Sequence, residues 1–134
     1  ATMQAGEIVY PEGVVEAVKT ALRRALEGAR AAGVPAKRLL VDPGFGFGKT
    51  LEHNLTLLRE LGALAELGAP VVVGTSRKRF LGTLTGRPVD ARVHATGATV
   101  ALAVAGGAAV VRVHDVPEML DVVRVADAVI RGLD

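Results

Sequence analysis

The sequence predicts an α/β fold built on a parallel sheet, and three observations predict it. Helix-like segments alternate with short apolar runs. The runs, LLV at 39–41, VVVGT at 71–75 and AVVRV at 109–113, are apolar enough for strands covered on both faces. Each run also hands over, on its carboxyl side, to chemically loaded residues. A doubly wound sheet and a (β/α)8 barrel both satisfy this alternation. In either, the carboxyl ends of the strands share one rim, where active sites are built.

Residues 1–10 show no clear period and read as a connection from a preceding element, with Thr2-Met3-Gln4 placed to touch a site rim. From Pro11 the pattern turns helical. Val14, Val18, Leu22 (or Ala21), Ala25, Leu26 and Ala29 form one apolar face, with Glu16, Lys19, Arg23 and Arg30 elsewhere; Pro11 suits a first turn and Gly33 a stop. The first strand, Leu39 to Val41, ends at Asp42-Pro43 and opens into a glycine- and phenylalanine-rich loop, GFGFGKT. Leu51, Leu55, Leu58 and Leu61 or Leu64 mark a second helix ending near Gly68, with Pro70 beyond it. The second strand leads directly to Ser76-Arg77-Lys78-Arg79, read as a short helix start with Ser76 near its cap. Residues 82–87 are turn-like, 89–105 form a long Ala-rich helix, and Gly106-Gly107 end it. The third strand exits through His114-Asp115. Asp115 and Glu118 resemble a capping box, with Pro117 in the first turn of a last helix bearing Val116, Leu120, Val123, Ala126 and Ile130.

Composition bounds the function. A chain of 134 residues that is half hydrophobic can build one real core. It has no cysteine, which removes disulfides and thiolate metal sites and makes a cytoplasmic protein the default. A formal charge of +2, with only Arg77, Lys78 and Arg79 tightly clustered, argues against nucleic acid as a partner. No run of about 18 apolar residues is present, so no membrane partner is expected. The first residue is Ala1 rather than methionine, which fits a fragment or a processed amino terminus. The three histidines and nearby carboxylates lack metal-ligand spacing. His53 and Asn54 are assigned to helix-start hydrogen bonding, and His94 to an exposed or interface helix face.

Gly48-Lys49-Thr50 invites a nucleotide-binding reading, but the glycine that a P-loop needs at position 43 is Pro43. The dinucleotide fingerprint fails too, because Lys49 stands where its last glycine belongs. What remains is a rim where one carboxylate, one lysine, one arginine and one histidine converge: Asp42, Lys78, Arg112 and His114. Each has a plainer alternative. Asp42 before a proline also suits a turn, Arg77 and Lys78 also suit a solvated helix start, and a lone strand-end histidine is commonly structural. Two points favour chemistry. Cations at a helix amino end oppose its dipole unless an anion is near, and Arg112 and His114, two apart on a strand, face the same way.

With these residues in view, the chain resembles the C-terminal part of the dihydropteroate synthase family. The resemblance is carried by DPGFGFGKT with EHN and LL (42–58), GTSRKRFLG (74–82) and RVHDV (112–116). It implies a pterin-binding (β/α)8 TIM barrel, with residues 1–134 a partial barrel domain holding strands six to eight and their helices, the first five lying outside this chain. It implies condensation of 6-hydroxymethyl-7,8-dihydropterin pyrophosphate with p-aminobenzoate, on the route to folate. By the same resemblance Asp42, Gly74, Lys78 and Arg112 bind the pterin, and Arg112 and His114 hold the pyrophosphate. Lys78, Arg112 and His114 are the catalytic set, while Phe47 and Ser76 form the p-aminobenzoate slot. Magnesium is implied as cofactor, with its ligand outside this chain, as is a homodimer formed through the stretch 93–105 and the last helix. Arg79 departs from the family, many of whose members carry a small hydroxyl residue there. A chain lacking the early strands is expected to be inactive alone. Two other readings stay open: a pterin-dependent methyltransferase, disfavoured because methyl transfer has no pyrophosphate to hold, and a non-catalytic half-barrel.

Overall fold

The computed structural model describes residues 8–133, so the expectation for Thr2-Met3-Gln4 lies outside the described residues. Three extended segments run side by side and parallel. β1 (Val72–Val73) lies in the middle and pairs with β2 (Val110–Val111) in the register Val72 with Val110 and Val73 with Val111. On the other side of β1, Val41 and Val71 make a single parallel bridge. Backbone bonds continue the ladder beyond the regular strands: the Val72 amide donates to Val41 O at 2.8 Å and the Arg112 amide to Val73 O at 2.9 Å. The parallel arrangement is therefore as the sequence predicts, but the strands are shorter. Leu39–Val41 contributes one bridging residue instead of a strand. Its expected burial on both faces is also corrected, since Leu40 is 56% exposed while Val41 is buried.

The helices cover the sheet because their apolar residues recur at helical spacing. In α1 (Val14–Ala31), Val14, Val15, Val18 and Leu26 are buried against Leu57 and Leu58 of α2 (Leu51–Arg59) and Leu61, Leu64 and Leu67 of the 3-10 turn that follows (Leu61–Leu67). Lys19, assigned by its charge to the outer side of α1, is instead buried. Its ammonium contacts Glu66 at 2.7 Å and Glu16 at 3.3 Å. The hydrogen bond to Glu66, more than any other effect, lifts its pKa above the ordinary lysine value. Pro11 lies in a turn ahead of α1, which begins after Gly13. The second helix divides because α2 stops at Arg59 and tightens into the 3-10 turn, which closes at Gly68 with φ 73°.

Two expectations about the later helices are corrected. Residues 82–87 are largely helical, since α3 runs Arg79–Thr85 and ends at Gly86. Within that helix Gly82 leaves room for the Arg92 guanidinium, which a Cβ there would overlap. The Ala-rich helix α4 spans Val93–Ala105, preceded by a 3-10 turn at Val89–Ala91. It packs on α5 (Val116–Arg131), with Gly97 facing Met119 and Val122. Met119 is the buried residue of α5, whereas Val116, Leu120 and Ile130 are exposed. Among the described residues no helix is long and apolar enough to cross a membrane.

This packing places the energetic centre in the α1, α2 and 3-10 layer. Leu64→Ala, at a side chain with no exposed surface, is expected to lower unfolding free energy by about 2–5 kcal/mol. Leu133→Ala, at 95% exposure, is expected to change it by less than about 0.5 kcal/mol. Chemical denaturation monitored by circular dichroism distinguishes the two.

Candidate functional site

The loop after Val41 is held by side chains at almost every step. Asp42 Oδ1 accepts from the Gly44 amide at 2.8 Å, and Asn54 Oδ1 accepts from the Gly46 amide at 2.8 Å. Lys49 Nζ donates to the carbonyls of Gly44 (2.8 Å) and Phe47 (3.0 Å), and the Tyr10 hydroxyl donates to that of Gly48. Gly44, Gly46 and Gly48 all have positive φ, which lets the loop coil tightly enough for these bonds. At the start of α2, Thr50 and His53 form a reciprocal capping box, and Asn54 Nδ2 donates to Thr50 O at 2.9 Å. His53 and Asn54 thus make helix-start bonds, as expected. Asn54 does more than expected, because it ties the helix to the loop.

The second strand end turns sharply. Arg77 sits at φ 56°, a left-handed conformation costly for a side chain with a Cβ. Three neighbours hold it. Its amide donates to Thr96 Oγ1 at 3.0 Å, its carbonyl accepts from Arg92 at 2.9 Å, and its guanidinium contacts Asp115 Oδ1 at 2.7 Å. Asp115 therefore does not cap α5 with its side chain, and the expected capping box with Glu118 does not form. The Arg77 hydrogen bond holds the Asp115 carboxyl below the usual carboxylate range. The ion pair accordingly contributes at pH values above that usual range and is lost as pH falls through the depressed value.

Ser76 is likewise not a cap; α3 starts after Lys78. The buried Ser76 hydroxyl accepts from the His114 amide at 3.0 Å and lies 2.7 Å from His114 Nδ1. With a neutral ring, the hydroxyl hydrogen directed to Nδ1 leaves Nε2 as the N–H donor.

Gly74, Ser76, Lys78, Arg112, Val113 and His114 line a cavity of about 350 Å³. Five of the seven residues singled out from the sequence therefore meet at one place. Gly74 permits this geometry, because a Cβ there would lie 3.1 Å from the Arg112 guanidinium. The other two stand beside it. Lys78 Nζ sits 4.3 Å from the centre of the Phe47 ring, and Asp42 is near enough to act on Lys78 electrostatically. Burial first, then the Arg112 charge, push the Lys78 pKa below the ordinary lysine value, against the pull of Asp42. Arg79 is exposed. Phe47 is 60% exposed, a large apolar ring facing outward beside a cationic pocket. This rim suits a flat, anionic ligand: donors from two strand ends, a ring wall and one carboxylate.

Reasoning from sequence missed two contributors. Lys49 is pinned against the loop carbonyls, and burial lowers its pKa. A lysine directly after a glycine loop is the signal that marks it. Asp115 reads as a cap in the sequence, and the placement of Ser76-Arg77 and His114-Asp115 at neighbouring strand ends is the pattern that pairs them. Among the described residues, no group of three or more His, Asp or Glu side chains is placed to hold a metal ion.

The family model for pterin binding enzymes matches residues 1–114. The chain is 51% identical over 104 residues to dihydropteroate synthase of a Synechocystis species, an alignment covering 77% of this chain and 36% of that protein. The structure is similar to dihydropteroate synthase from Stenotrophomonas maltophilia with imidazole bound in its active site. That match has a TM-score of 0.90 and 44% identity, covering 99% of this chain and 50% of that one. It is also similar to the Xanthomonas albilineans dihydropteroate synthase in complex with 7,8-dihydropteroate, with a TM-score of 0.87 and 44% identity, covering 92% and 47%. The chain thus spans between about a third and a half of the length of these relatives. With a pocket of this chemistry and a family model matched across most of its length, the chain belongs to the pterin-binding enzyme family.

Proposed function

We propose that this chain supplies the carboxyl-terminal strands, the sixth to eighth, of a dihydropteroate synthase barrel. On this reading the protein condenses 6-hydroxymethyl-7,8-dihydropterin pyrophosphate with p-aminobenzoate in a cytoplasmic step of folate synthesis. The observation that carries it is the grouping of Lys78, Arg112 and His114 around one cavity beside Asp42 and Phe47. The Xanthomonas relative's complex with 7,8-dihydropteroate supports the same ligand class.

The chemistry follows from the charges. The Asp42 carboxylate accepts from the pterin 2-amino group and adjacent ring N–H, a paired contact that rejects rings lacking those donors. Lys78 donates to the pterin carbonyl and ring nitrogen, with Gly74 keeping the approach open for a flat ring. Arg112 packs over the pterin and, with His114 Nε2, holds the pyrophosphate. As the C–O bond breaks, its electron pair leaves with the pyrophosphate, and these donors stabilise the growing negative charge. The amine nitrogen of p-aminobenzoate attacks the cation-like methylene carbon, forms the C–N bond and loses a proton. Phe47 walls the p-aminobenzoate slot, and Ser76 completes it while orienting His114.

Magnesium, when bound, would neutralise pyrophosphate charge. The family resemblance places its ligand outside this chain, and no step here passes through it. The exposed Leu102, Val125, Val129 and Ile130 on α4 and α5 support a homodimer formed through these late helices.

Calorimetric titration of the pterin pyrophosphate into the complete barrel protein tests the reading. Asp42→Ala and Lys78→Ala are each expected to weaken binding at least about tenfold, as loss of a charged hydrogen bond entails, with circular dichroism unchanged. Unaltered binding in both variants would make the rim structural and favour a non-catalytic half-barrel. The isolated 134-residue chain is expected to show no synthesis, and normal turnover by it would contradict the requirement for the earlier strands.

A further inference from the structure

Arg77 is the one described residue other than glycine with positive φ, and it lies directly before Lys78. A strained backbone persists only where its surroundings over-determine it. Here the determinants come from three separate elements: Thr96 on α4, Arg92 just before it, and Asp115 at the start of α5. Of these only Asp115 grips the side chain, through both Nε at 3.3 Å and a terminal nitrogen at 2.7 Å. A forked contact of this kind fixes direction as well as distance.

The neighbouring residues repeat the link. Ser76 binds His114 while Arg77 binds Asp115, so two consecutive residues of one strand end are joined to two consecutive residues of the next. Lys78 follows at once, its extended stem passing Gly46 and its ammonium over the Phe47 ring. If the turn relaxed to negative φ, the chain direction after residue 77 would change and Lys78 would leave the ring.

We propose that Asp115 is a positioning residue: by clamping Arg77 in its left-handed conformation it sets the Lys78 ammonium over Phe47 and facing Arg112. The identity of the ligand rests on the function proposed above; the clamp does not. Asp115 makes no side-chain cap bond to α5, so removing its carboxylate tests the clamp without uncapping that helix.

The chain has four lysines, so carbon-13-labelled lysine gives a resolvable spectrum in which Lys78→Arg identifies the Lys78 signal. Its titration in the wild-type chain is expected below that of an ordinary lysine, because burial and Arg112 outweigh Asp42. In Asp115→Ala the Lys78 midpoint rises toward the ordinary value as the ammonium moves into water, while Asp115→Glu stays close to wild type. Arg77→Gly tolerates the left-handed backbone without strain, so the midpoint stays low, and adding Asp115→Ala to it changes nothing further.

In the complete barrel protein, Asp115→Ala is expected to weaken pterin pyrophosphate binding by about tenfold, the order of effect that loss of a charged hydrogen bond from Lys78 entails. An unchanged Lys78 midpoint in Asp115→Ala, with circular dichroism intact, overturns the proposal. A raised midpoint in a protein whose wild type binds no pterin supports the clamp and overturns the pterin reading instead.

Discussion

Everything at the rim depends on how two strand ends are tied together. Ser76 with His114 and Arg77 with Asp115 form two adjacent cross-links between the segments leaving β1 and β2. Parallel strands only two residues long cannot fix the direction of the chain beyond them. The side-chain links do so. They draw Arg112 and His114 to the same cavity as Lys78, and they leave Arg77 in a conformation that the sequence alone would not choose. The strain is local and sits next to Lys78, which faces the cavity, where a fixed geometry has most value.

The loop of residues 43–49 solves a similar problem differently. It has no strand to lean on, so Asp42, Lys49, Asn54 and Tyr10 hold its backbone amides and carbonyls one by one. Glycines with positive φ bring those groups within reach. The outcome is an exposed Phe47 ring on a stiff support, with a lysine from the neighbouring strand end above it. Desolvation within this group explains why Lys49 and Lys78 both titrate below ordinary lysine, although only Lys78 faces the cavity.

Much of this was legible in the sequence because it depends on local pattern. Apolar runs flanked by loaded residues marked the strand ends; of the four residues read from them, Lys78, Arg112 and His114 line one cavity with Asp42 beside it, and Gly74 and Ser76, added by the family resemblance, line it too. What was not legible depends on contacts between distant segments. Lys19 looks like a surface residue until Glu66, brought near by the 3-10 turn, gives it a partner. Ser76 and Asp115 both sit where caps are common, and only the closeness of the two strand ends shows that each prefers the other strand's residue. The last helix carries enough apolar residues to suggest a buried face, yet packing on α4 buries Met119 alone. Strand length was overread because a run of valines does not reveal how many of its residues find a ladder partner.

The proposed anion-accepting pocket is formed by two strand ends, at residues 74–78 and 112–114, with the 42–48 loop beside them. Mapping amide chemical shifts of the chain while titrating inorganic pyrophosphate tests it most directly. Shifts are expected to concentrate at residues 74–78 and 112–115, with smaller ones in the 42–48 loop. Shifts confined to α4 and α5, with the strand ends silent, would contradict it.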